Sequence, residues 1–140
     1  MILRNAEADD FAALLPYAQI AHSQSLISSL PMDENALRRS FITSIAFDDG
    51  FAKVVERDGR VVGGMVGVIA DNHFGIRCAM DLFTYTEAGT QVLLKSFKRW
   101  AQDRGALMLQ ITDLSGGSRY QKLIQHIGPV QAGINFIEVF

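Results

Sequence analysis

At 140 residues, with 49% hydrophobic and 20% charged side chains and a net charge of −2, the chain is sized and composed for one soluble domain around one core. The near-neutral balance excludes the basic footprint of a nucleic-acid or anionic-lipid binder, and no stretch reaches the ~18 apolar residues of a spanning helix. The N-terminal MILRNAEADD lacks the apolar core of a signal peptide, so the expectation is a single domain over 1–140, cytoplasmic, with no nucleic-acid or membrane partner.

Residues 1–4 read as a short strand. Asn5 is expected to cap a helix on which Ala8, Phe11, Leu14, Leu15 and Ala18 share a face, with Pro16 kinking or breaking it, since proline inside a helix removes a hydrogen bond and clashes with the preceding turn. The polar run HSQSLISS leads to a second helix with Asp33 as N-cap and Leu37, Phe41, Ile42 and Ile45 as its apolar face. A hairpin follows: FAKVVE, a turn at Asp58–Gly59, then VVGGMVGVIA. Gly63, Gly64 and Gly67 inside that second strand mark either close approach of another group or bulges.

From Ile76 to Phe83 apolar residues alternate along a strand, and from Gly89 the pattern changes to a helix in which Val92, Leu93, Phe97, Trp100 and Ala101 form one stripe, ending at Gly105. Free N–H groups at the start of such a helix suit an anion, so a phosphate-bearing ligand is expected there. ALMLQITDL, residues 106–114, reads as a strand buried on both sides. A last helix with Tyr120, Leu123, Ile124 and Ile127 on one face stops at Gly128–Pro129, and a final apolar strand covers roughly 130–139. The single cysteine, Cys78, excludes an internal disulfide, and His22, His73 and His126 have no metal-site spacing, so no metal is expected.

This order, together with VVERDGRVVGGMVGV, MDLFTYTEAGTQVLLKSFKRWAQDRGA and SRYQKLIQHIG, resembles the Gcn5-related N-acetyltransferase (GNAT) superfamily over essentially the whole chain. The resemblance implies an α/β fold with a central mixed sheet splayed between its fourth and fifth strands and about four flanking helices. It implies acetyl-CoA as co-substrate and a primary amine, on a small molecule or peptide, as acceptor. The pantetheine arm would pair with the strand backbone at Leu82, Phe83 and Thr84, and the pyrophosphate would sit on Thr86, Ala88, Gly89, Thr90 and Gln91. Asp81, expected on the same strand face as Phe83 and Tyr85, stands where a carboxylate base would act, and Tyr120 where a general acid would. The competing structural roles are an Asp81 paired with Arg77 or a backbone group, and a Tyr120 that only fills the core. His73 and Cys78 read as loop and core residues.

The phosphate loop departs from the family pattern of Q or R, two residues, G, one residue, then G or A. Here it reads TEAGTQ, with Gly89 beside Ala88 and with Glu87 placed to repel a diphosphate. Weak acetyl-CoA binding, tightened by Glu87→Gln, is the expectation that follows. A catalytically inactive acetyltransferase-like domain, used for CoA sensing, protein binding or homodimerisation, is the alternative.

Overall fold

The computed structural model describes residues 1–114, 118–129 and 137–140. Its elements run β1 (Ile2–Asn5), α1 (Asp10–Ser23), α2 (Glu34–Ala46), β2 (Gly50–Arg57), β3 (Arg60–Asp71), β4 (Arg77–Thr86), α3 (Thr90–Asp103), β5 (Met108–Gln110) and α4 (Ser118–His126). The five strands lie side by side in chain order. The first three pairings are antiparallel, and β4 runs parallel to β5. The result is the expected mixed sheet with four helices. Of the expected strand over 130–139, residues 130–136 lie outside the described residues, and 137–140 have no regular structure.

The layers follow from the side chains. One face of the sheet carries Phe51, Val55, Met65 and Ile69 against Leu93, Leu94 and Phe97 of α3. Phe97 meets Phe51 edge-on at 5.1 Å and stacks on Trp100 at 5.6 Å. The other face carries Val54, Val66 and Phe83 against Phe11, Leu14 and Phe41 of α1 and α2. Here the rings form a ladder, Phe11–Phe41–Phe83–Tyr85, with spacings of 5.7, 6.4 and 4.8 Å. Burying each such ring is worth about 1.5–3 kcal/mol. The ladder therefore holds the first two helices on β4.

Several local expectations change. Asn5 ends β1 instead of capping α1, which starts at Asp10. Arg4 takes the Asp10 carboxylate in a two-pronged ion pair of 2.7 and 2.8 Å, and the Glu7 N–H donates to the same group, so the entry turn is held by that carboxylate. The first helix runs through Pro16 as one element. Proline leaves the Ala12 carbonyl without its donor, but Ala12 and Pro16 are both exposed and water can serve it, while Phe11, Leu14 and Ala18 anchor the opposite face. Asp33 does cap α2, accepting from the Ala36 N–H at 2.9 Å, but Ile42 of the expected apolar face is exposed. The hairpin turn is as expected, Asp58 and Gly59 both having positive φ.

The fifth strand departs most from expectation. Only Met108–Gln110 pair with β4, and Leu107 is 80% exposed. A bulge breaks the β3–β4 register between Val66 and Gly67: Val66 faces Phe83 and Gly67 faces Asp81, leaving Leu82 as the extra residue. Gly67 answers the glycine question with both features at once, since it sits at the bulge and a Cβ there would lie 2.6 Å from the Phe97 ring and 2.8 Å from the Met80 carbonyl oxygen. Gly67→Ala should destabilise the fold by about 1–3 kcal/mol through overpacking. An unchanged urea midpoint would show that Phe97 yields without cost.

Candidate functional site

Strands β4 and β5 pair from Cys78↔Met108 to Met80↔Gln110, with the Leu107 N–H donating to the Arg77 carbonyl at 2.9 Å just before, and then they part. From Asp81 to Thr86 no described strand covers that edge of β4, so its backbone groups on this side are available to a ligand. The parting opens into a cleft of about 670 Å³. Its walls are the segment joining α1 to α2, β4 beyond the bulge, and the chain following β5 together with Tyr120 of α4. The Leu26 N–H donates to the Leu114 carbonyl at 3.3 Å and bridges two of these walls.

Asp81 stands where the strands part. The bulge decides its direction: its cross-strand partner Gly67 faces Phe97, so Asp81 points to the α3 side, whereas Phe83 and Tyr85 belong to the α1–α2 side. This corrects the expectation that the three share a face. Of the alternatives for its partner, the backbone one holds: the Thr112 N–H donates to Asp81 Oδ1 at 2.9 Å, and Arg77 instead pairs with Asp49 at 3.1 Å. Burial pushes the Asp81 carboxyl up to about 6, against the pull of its backbone hydrogen bonds.

Tyr120 faces the same place from α4. Its hydroxyl is buried and closes no hydrogen bond, as is the hydroxyl of Thr84. Burial raises the Tyr120 phenol to about 12, and the nearby Asp81 and Asp113 carboxylates push the same way, while Thr84 works against them. Two buried hydroxyls that face each other without closing a well-formed hydrogen bond, beside a desolvated carboxylate, keep bonding capacity for polar atoms from outside. Tyr120 also packs on the main core, so the structural and the chemical role coincide. Thr84 entered the sequence reading only through its backbone. Nothing in the sequence signals that the bulge would turn its hydroxyl toward Tyr120.

The other expected ligand residues divide between the edge and the loop. Leu82 is half exposed, and Phe83 is buried in the aromatic ladder. The Thr86 and Thr90 hydroxyls bond each other, bracing the loop between β4 and α3. Ala88 packs on the core, and the N–H groups of Glu87 and Ala88 donate to the Val62 carbonyl at 2.8 and 3.4 Å, so both are engaged within the fold. Gly89 caps α3 with φ +87, and its Cα is so close to Val55 that a Cβ would lie 2.9 Å from that side chain. The first backbone bond of the helix is Leu93 N–H to the Gly89 carbonyl, which leaves the N–H groups of Gly89, Thr90, Gln91 and Val92 open at the positive end of the helix dipole.

Glu87 does not stand against that anion site as an isolated charge. Its carboxylate is bound by Arg57 at 2.6 Å and Arg60 at 3.0 Å, both at the tip of the β2–β3 hairpin, and Tyr17 of α1 donates to it at 3.2 Å. The guanidinium of Arg60 holds the carboxyl below its ordinary range. With Asp58 in the same hairpin turn, two positive groups face two negative ones, and the Glu87 carboxylate is locally neutralised. The expectation that Glu87→Gln would tighten anion binding assumed a bare charge, whereas this carboxylate is already met by two guanidiniums.

Among the described residues, no helix is long and apolar enough to cross a membrane. No protein-family model matches the chain, and none of the curated proteins matches it significantly. Solved structures do. A ribosomal-protein-alanine N-acetyltransferase from Brucella melitensis biovar Abortus 2308 superposes with a TM-score of 0.70 at 15% identity, covering 99% of this chain and 98% of that one. An aminoglycoside 6'-N-acetyltransferase from Acinetobacter haemolyticus gives 0.70 at 9% identity over 100% and 99%. AAC(6')-Iy, solved with the bisubstrate analog CoA-S-monomethyl-acetylneamine, gives 0.68 at 11% identity over 99% and 97%. At these identities it is the path of the backbone that is shared, over nearly the whole of each chain, and this chain has the Gcn5-related N-acetyltransferase fold.

Proposed function

We propose that the protein is an N-acetyltransferase that moves an acetyl group from acetyl-CoA to an amine. The observation that carries this reading is the parting of β4 and β5 at Asp81, with the buried hydroxyls of Tyr120 and Thr84 on its wall. The named N-acetyltransferases that share the fold support it.

The residues present fit the co-substrate. The uncovered edge at Leu82, Phe83 and Thr84 would hold the pantetheine arm as a strand would, and the open N–H groups from Gly89 to Val92 would hold the pyrophosphate. When bound, acetyl-CoA supplies an activated thioester and a thiolate leaving group. Asp81 then has the task of taking the acceptor's proton. An alkylammonium of pKa near 10 gives a proton to an ordinary carboxylate uphill by about 8 kcal/mol, and to one near 6 by about 5 kcal/mol. Desolvation of the ammonium in an apolar cleft narrows the rest of the gap. Tyr120, its phenol held at about 12, stays protonated at neutral pH and can donate to a departing sulfur.

Turnover should rise with pH through about 6 as Asp81 ionises, and Asp81→Asn and Tyr120→Phe should each lower kcat about 100-fold. Stopped assays of CoA release across pH 5 to 9 test this, and rates within a factor of two of wild type for both variants would move the chemistry elsewhere.

The same carboxyl should leave a mark on stability. Its folded pKa lies above its ordinary 3.8, so below about pH 4 it is protonated in both states and costs nothing. As pH rises through 6 the folded protein acquires a desolvated charge, and stability should fall by up to about 3 kcal/mol relative to Asp81→Asn, which still accepts from Thr112. Melting curves of the two proteins should coincide at pH 4 and separate at pH 8, and parallel curves would contradict the buried carboxylate.

Calorimetric titration of acetyl-CoA into Glu87→Gln should show affinity equal to or weaker than wild type, because the substitution loosens Arg57 and Arg60 instead of unmasking an anion site. Tighter binding would return Glu87 to the role of a repelling charge.

A further inference from the structure

The cleft carries its own statement about the acceptor. Three carboxylates line it, Asp33 from the start of α2, Asp81 from β4 and Asp113 from the chain after β5, whereas among the described residues no lysine or arginine does, and His22 is the one basic side chain. The segments outside the described residues, 115–117 and 130–136, contain no charged residue, so they add no cation. Arg39 lines an adjoining groove between α2 and the sheet. Around the carboxylates the wall is apolar: Leu30 and Leu114 keep 42% and 37% of their surface open, an unusual exposure for leucines at a concave site. The buried hydroxyls of Tyr120 and Thr84 form the polar floor.

An acceptor that carried a carboxylate or a phosphate beside its amine would enter a low-dielectric cleft with no lysine or arginine among its described walls to meet the anion and with carboxylates on several sides. Like-charge placement of this kind costs enough to discriminate strongly. A protonated amine with an apolar body meets the opposite situation. Its charge is attracted on entry, its body covers the exposed leucines, and Asp81 lies at the end where the strands part.

We infer that the acceptor is an amine with an apolar body and no anionic group, and that Asp33 and Asp113 exclude free amino acids and phosphorylated amines. The inference deepens the acetyl-transfer reading and rests on it for the identity of the reacting end.

Phenethylamine and phenylalanine form a matched pair, differing only in the α-carboxylate. With acetyl-CoA and the full chain, kcat/KM for phenethylamine should exceed that for phenylalanine by about 100-fold. The ratio should shrink, mainly through KM, in Asp33→Asn and Asp113→Asn. Asparagine still caps α2 at position 33, so a folding defect is not the expected result there. Equal use of the two amines, or a ratio untouched by both substitutions, would overturn the inference. Binding of the two amines without acetyl-CoA, followed by chemical shifts of the cleft residues, separates this from the transferase reading. If neither amine is acetylated yet phenethylamine alone binds, the charge selection stands and the transfer reaction fails. If both bind alike, the selection itself is wrong.

Discussion

The pairing of β4 with β5 lasts for three residues and is then replaced by one side-chain bond, from the Thr112 N–H to the Asp81 carboxylate. Everything distinctive about the molecule follows from that substitution. Continued ladder bonds would have closed the sheet and left no cleft. A carboxylate in place of a carbonyl lets the two strands separate while the first N–H after the parting keeps an acceptor. The group that closes the ladder is also desolvated, which pushes its pKa up to about 6. Structural clasp and candidate base are one side chain.

The bulge at Leu82 is the second half of this arrangement. By inserting one residue into β4 it sends Asp81 and Thr84 to the α3–α4 side and Phe83 and Tyr85 to the α1–α2 side. A regular strand would have put Asp81 and Phe83 on one face. The aromatic ladder running from Phe11 to Tyr85 depends on this reversal, as does the meeting of Thr84 with Tyr120. Gly67, opposite Asp81, supplies the space that Phe97 needs to reach the sheet at that point.

The short connection from β4 to α3 is held from behind. Val62 takes the N–H groups of Glu87 and Ala88, the two threonine hydroxyls bond across the turn, and Glu87 reaches the hairpin tip and α1. Exposed ion pairs of this kind add little to stability, but they set direction. Gly89 then turns the chain with a positive φ so that the first N–H groups of α3 remain open. A loop with the single glycine Gly89 thus keeps an anion-ready helix start, because its remaining donors are positioned by contacts far away in sequence.

What could be read from the residues alone was local. Alternation marked the strands, the 3.6-residue stripe marked α3, Asp58–Gly59 marked the hairpin turn, Asp33 marked the start of α2 and Gly105 the end of α3. Each of these signals is written within a turn or two of chain, where spacing and backbone preference decide the outcome. Asp81 and Tyr120 could be named as candidates by residue type and by resemblance, but not their surroundings. The length of β5, the face Asp81 presents, the partners of Glu87 and the empty bonding positions of Tyr120 and Thr84 were decided only in the folded chain. A shift of one residue in strand register reverses every side chain beyond it, and register is set by partners across the sheet that no local pattern contains.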